Sequence, residues 1–242
     1  MIKYIILVFL ISVTCLAAED SGALYTRALE LFDIRHLDKT NADKAKEIAG
    51  EILVKEPENV NAIVLVSRYY LFSGEGLAKD DDKRAVYEKG VEYAKKALKL
   101  DDKNADAHFY YAASLGRCAQ LKGLFNAMGS AGEIKKEFER TLELNPKHPI
   151  AKVALANYYY QVPGLFGGST EKAIELLKEA IAEDPLVSMP YIDLAIIYRN
   201  QGKKKEAIEL LNTVIDMKNP TLPANYYLYD KKDAEKLLKD LQ

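Results

Sequence analysis

Sulfur and imidazole chemistry is scarce in this chain of 242 residues, which has two cysteines and three histidines. Cys15 lies in an apolar leader and Cys118 stands alone in the body, so removal of the leader leaves no intramolecular disulfide. A core built from a chain of this length can do without one. His36, His108 and His148 fall in separate segments without metal-ligand spacing. His-Glu-x-x-His, Gly-x-Ser-x-Gly and a glycine loop ending in Lys-Ser/Thr are all missing. Asp80-Asp81-Asp82 lacks the alternating oxygen ligands of a calcium loop and reads as a solvated turn opening a helix. An excess of charge of one sign is missing too: 34 basic against 36 acidic side chains give a net charge of −2. Such a balance creates no field that draws in nucleic acid. These gaps point to a non-enzymatic protein with no cofactor and no metal.

A long membrane-spanning run is likewise missing. The one apolar stretch, Tyr4 to Ile11, is followed by Ser12-Val13-Thr14-Cys15-Leu16-Ala17-Ala18 and an abrupt change to Glu19-Asp20. It is short of the roughly 20 residues a membrane helix needs, and Lys3 before it with small residues after it form the grammar of an export signal. Residues 1–18 are therefore expected to be a signal peptide cleaved after Ala17 or Ala18, with residues 19–242 exported, into the periplasm of a bacterial cell. Lipidation at Cys15 is disfavoured, because Ser12-Val13-Thr14 lacks the leucine and small residue such a site shows. Membrane attachment is expected only if the chain is lipidated or the leader stays as an anchor.

What the chain does have is repetition. Glu56-Pro57, Asn145-Pro146, Asp184-Pro185 and Asn219-Pro220 each close a helical, alanine-bearing pattern, and Asp101-Asp102 is a further copy with aspartate in place of proline. Successive markers at 57, 102, 146, 185 and 220 lie 45, 44, 39 and 35 residues apart, at or above the roughly 34-residue period of helix–turn–helix repeats. Within segments, apolar residues recur at helical spacing with a small residue opposite a large one. Leu155, Ala156 and Tyr159 precede Ala173, Leu177 and Ala180; Tyr191, Leu194, Ala195 and Tyr198 precede Ala207, Leu211 and Val214. The extra residues fall between the two helices of a segment, predicting inserted loops near 74–83, 123–132 and 162–168. Residues 223–242 read as an amphipathic helix capping the array.

This pattern resembles the tetratricopeptide repeat, clearest in its last two segments. The resemblance implies an all-α, right-handed solenoid of about five helical hairpins plus the capping helix. Leu115–Gly123, Ile134–Arg140 and Pro163–Ser169 resemble two subsets of such proteins: the T component associated with TRAP transporters, and the regulator of microtubule dynamics group. The first subset implies an accessory role in uptake of a small amphipathic ligand.

In the repeat family the groove is lined by the side of each first helix that faces away from the core. Read that way, the concave face carries Arg68 and Phe72, then Phe109 and Arg117, then Val153, Asn157 and Tyr160, then Ile192, Ile196, Arg199 and Asn200. An apolar track flanked by arginine and asparagine donors suits an amphipathic or anionic ligand. The alternatives are a protein partner held by a cell-envelope scaffold, or tight coiling that simply packs these residues. Leu124, Phe125, Met128, Leu165 and Phe166 in the inserted stretches are candidates for a lid or a subunit interface, the latter making a homo-oligomer. Cys118 reads as a buried structural thiol, and Ser169 or Thr170 as the cap of a helix after a glycine turn.

Overall fold

In the computed structural model, residues 20–242 are described, those at 124–128 by their backbone alone. The expected signal peptide at 1–18 and the side chains of Leu124, Phe125 and Met128 lie outside the described residues. Five antiparallel helix pairs follow one another: α1 (Ser21–Asp33) with α2 (Asn41–Lys55), α3 (Val60–Ser73) with α4 (Asp80–Leu100), α5 (Ala105–Leu121) with α6 (Leu124–Leu144), α7 (Ala151–Gln161) with α8 (Thr170–Glu183), and α9 (Met189–Asn200) with α10 (Lys204–Ile215). A cap follows, made of the single turn α11 (Pro223–Asn225), a π-helical turn at Tyr226–Asp230, and α12 (Lys231–Leu241). The arrangement is a right-handed all-α solenoid of five hairpins with a C-terminal cap.

The acid-or-amide–proline steps act through backbone sterics. A residue before proline is pushed out of the helical region, and Glu56, Asn145 and Asp184 terminate α2, α6 and α8 with φ/ψ of −132°/79°, −137°/88° and −143°/95°. Asp101 ends α4 at −148°/99° without a proline behind it. Its carboxylate accepts from the Lys103 amide at 3.0 Å, as Asp184 does from Leu186 at 2.9 Å, so the aspartate turn shapes the break unaided. Restart signals follow at once: Asn59 and Asn104 accept from the amides of Ala62 and Ala107 at 3.1 and 2.9 Å, and Ser169 caps α8 through Lys172 at 3.2 Å. At α7 the N-cap position is Ile150, which has no capping side chain, and His148 two residues before it accepts at Nδ1 from the Ala151 amide at 3.2 Å while its Nε2 faces Asp106 at 3.1 Å.

Two expectations are corrected. Asn219-Pro220 closes no helix: α10 has already ended at Ile215, and Asn219 takes a positive φ of 52° in the turn toward the cap. The insertion expected as a loop at 123–132 is helical, because the extra residues extend α6 to 21 residues instead of looping out. The insertion at 162–168 is a turn with a 3₁₀ segment at Gly164–Phe166, whereas the one at 74–83 is a turn only as far as Lys79, with a 3₁₀ segment at Gly74–Gly76, and its remainder is the first turn of α4.

Alanines sit where helices cross, with Ala45, Ala94, Ala112, Ala156, Ala173 and Ala207 wholly buried. The array coils far enough to bring its ends together. Arg35, just past α1, donates from Nη2 to Oδ1 of Asn225 in the cap at 2.5 Å, and the His36 ring stacks on Tyr227 with centroids 5.1 Å apart. The concave face is thus the interior of a ring closed by side chains, not an open trough.

Candidate functional site

Inside that ring is a cavity of about 520 Å3. α3 contributes Leu71 and Phe72, α5 Phe109 and Gly116, α6 Ile134 and Phe138, and α7 Val153 and Asn157; Met189 and Asn225 close it from α9 and α11. Phe109 forms the floor, its ring 5.8 Å from Phe138 and 4.6 Å from His148 between centroids. Gly116 leaves room: a Cβ there would meet nothing closer than Ile134 Cδ1 at 4.0 Å. The size falls in the range of small-molecule pockets, about 300–1,000 Å3, and the mostly apolar wall with few polar groups matches their usual chemistry.

One edge of the cavity is polar. Arg117 pairs with Glu75 at 2.8 Å and donates to Gln120 at 3.3 Å, and Gln120 donates to Gln161 at 3.2 Å, linking three successive hairpins by side chains that all line the cavity. Their exposure to water makes these contacts weak individually. Deeper in, Asn157 donates to Asp193 at 2.8 Å. Burial pushes the Asp193 carboxyl up to about 6, with the Asn157 bond acting against it and the charge of Asp230 adding to it. Asp230 is raised by burial as well and accepts from Ser188 at 2.6 Å.

The candidate residues therefore separate into groups. Phe72, Phe109, Arg117, Val153 and Asn157 meet on one cavity wall. Arg68 does not line it: it pairs with Asp33 at 2.8 Å and lies over the Phe32 ring at 4.3 Å. Tyr160, Asn200 and Arg199 form a separate polar chain at the helix ends, with Asn200 donating to Tyr160 at 2.6 Å and Arg199 to Asn200 at 3.3 Å. Ile192 is buried in the C-terminal core and Ile196 packs against it. Leu165 and Phe166 stand out on their turn, 90% and 53% exposed, beside Pro163 of the cavity wall. Cys118 is buried, and burial pushes its thiol up to about 11, which suits packing and not nucleophilic attack.

Glu75, Asp193, Asn225 and Arg35 were not singled out by repeat reasoning. Asp193 carried a readable signal, being an acid one step from Ile192 in a helix read as concave. Arg35 and Asn225 carried none, since their meeting depends on how far the array coils. Arg35 is 6% exposed, with burial and the neighbouring Arg68 charge drawing its guanidinium down to about 10.

Comparison with known proteins agrees with the repeat architecture. The rat regulator of microtubule dynamics protein 3 is 25% identical over 189 residues, 72% of this chain and 40% of the rat protein. The bovine regulator of microtubule dynamics protein 1 is 38% identical over 72 residues, 30% of this chain and 22% of that protein. The chain thus spans well under half the length of these curated relatives. A solved thermophilic tetratricopeptide repeat protein of Thermus thermophilus superposes with a TM-score of 0.66 at 14% identity, covering 92% of this chain and 98% of that one, a likeness of fold. The tetratricopeptide repeat family model matches residues 167–224. The model described as Regulator of microtubule dynamics protein 1-3 matches residues 27–167, more than half of the sequence. This chain belongs to the regulator of microtubule dynamics protein 1-3 family.

Proposed function

We propose that the protein is a non-enzymatic binding module whose ring interior takes the apolar part of a small amphipathic guest. The observation that carries this reading is the cavity of about 520 Å3, floored by Phe109, Phe138 and Val153 and fringed by Arg117, Gln120 and Gln161. Apolar walls recover the hydrophobic free energy of the guest's tail, about 25 cal/mol per Å2 buried, while a few polar groups orient its other end. The export signal read at residues 1–18 would put this binding outside the cytoplasm. The T-component resemblance extends the reading to delivery of the guest to a membrane transporter. The test is displacement of an apolar fluorescent probe by medium-chain amphiphiles, comparing wild type with Gly116→Phe. Saturable displacement in wild type and its loss in a folded Gly116→Phe protein support the site; equal behaviour of the two proteins rejects it.

A second reading, a scaffold for a protein partner, is favoured by the exposed Leu165–Phe166 turn beside the cavity, since insertions in a repeat array fall on one face, often the one that binds. Crosslinking of Leu165→Cys to one discrete partner, with no change in ligand affinity, would favour it.

A further inference from the structure

Arg35 stands immediately behind the cavity wall, at the seam where the cap meets the first hairpin. Its guanidinium carbon lies 4.5 Å from the centroid of Phe72 and 4.7 Å from that of Phe32, and both of its hydrogen bonds go to neutral oxygens: the Phe32 carbonyl at 3.1 Å and the Asn225 side chain at 2.5 Å. Phe72 and Asn225 are themselves cavity-lining residues. Among the described residues Arg35 forms no ion pair. The acids around it are engaged elsewhere, Asp33 with Arg68 at 2.8 Å and Asp230 with Ser188 at 2.6 Å. A guanidinium so buried and lacking an anionic partner is an expensive arrangement, and its five donors in a planar fork fit a carboxylate.

We propose that Arg35 is the acid-recognition residue of the cavity: it takes the carboxylate of a single-chain amphipathic acid whose tail lies against Phe109, Phe138 and Val153, the Asn225 oxygen giving way as the acid arrives. This rests on the cavity being a binding site. The charge count selects a carboxylate over a phosphate dianion, because Arg68, the second cation at the seam, is already neutralised by Asp33. The site thus differs from the outer rim at Arg117, whose charge Glu75 already answers.

The test is calorimetric titration of residues 19–242 with decanoate and with decanol at one pH. Wild type is expected to bind decanoate at least about tenfold more tightly than decanol, the worth of a hydrogen bond to a charged group. Arg35→Gln is expected to bring decanoate down to the affinity of decanol and leave decanol unchanged. Asn225→Asp covers the case in which Arg35→Gln fails to fold: it supplies the missing carboxylate within the protein, keeps Arg35, and is expected to abolish the preference. Equal binding of the two compounds by wild type, equal weakening of both by Arg35→Gln, or a preference that survives Asn225→Asp overturns the inference while leaving the cavity as a binding site. Binding of neither compound overturns both.

Discussion

Arg35 and Asn225 are 190 residues apart in sequence, yet the Arg35 guanidinium donates to the Asn225 side-chain oxygen at 2.5 Å. With the His36–Tyr227 stack beside it, this bond turns a one-dimensional stack of hairpins into a ring. In an open solenoid each repeat touches only its neighbours. Here the first hairpin and the cap also touch each other.

The two residues should therefore be coupled energetically. A double-mutant cycle of Arg35→Met and Asn225→Ala, read by urea unfolding, is expected to give a coupling of about 1.5–3 kcal/mol, the value of a hydrogen bond involving a charged group. Additive effects would mean that the contact does not hold the ring.

Gly168 is expected to tolerate no side chain. A Cβ there would lie 1.6 Å from the Val162 carbonyl oxygen and 3.1 Å from that of Tyr159, both main-chain atoms that cannot step aside without breaking the turn. Gly168→Ala should cost more than about 2 kcal/mol. Gly164→Ala, four residues earlier with nothing within 4 Å of its Cβ, should change thermal stability little.

Asp193 makes stability depend on pH. Its folded value, pushed up to about 6 by burial, lies above the ordinary value of 3.8, so the folded state holds the proton more tightly than the unfolded chain. The stability this confers is full below about pH 4 and is lost as pH rises through about 6. Asp193→Asn, which keeps an acceptor for Asn157, is expected to stabilise the protein by on the order of 2 kcal/mol at pH 7 and by little at pH 4. A gain that does not vary between these pH values, measured by urea unfolding, would contradict the assignment.

Cys118 should resist modification. With its thiol buried and pushed up to about 11, Cys118 in folded residues 19–242, a stretch without Cys15, is expected to leave an aromatic disulfide reagent unreacted at pH 8 and to release one equivalent of thiolate on unfolding. Fast reaction in the folded state would show that α5 opens.

Much of this architecture is legible in the sequence, because the physics that punctuates it is local. Glu56, Asn145 and Asp184 end helices because of the proline that follows each of them, and Asn59, Asn104 and Ser169 restart helices with side chains adjacent to the amides they cap. Asn219 misleads because the same dipeptide also serves a turn with positive φ. The helical insertion at the start of α6 was hidden by Gly123, Gly129 and Gly132, which read as loop formers although the backbone at Gly129 and Gly132 is helical. Five of the concave-face candidates share one wall because repeat spacing fixes which side of each first helix faces inward. Arg35 and Asn225 were out of reach, since their meeting depends on the rotation accumulated over five hairpins; the pairing of Arg68 with Asp33 links the neighbouring helices α1 and α3 and was missed because Asp33 lies outside the repeat positions read as concave.

The binding role stands on the ring interior holding a guest. Native mass spectrometry of residues 19–242, purified without detergent, tests it most directly. The expected result is a small acid bound in one-to-one stoichiometry by wild type, released on denaturation and absent from Gly116→Phe. A clean mass for wild type that stays clean after incubation with decanoate, from folded protein, would contradict it.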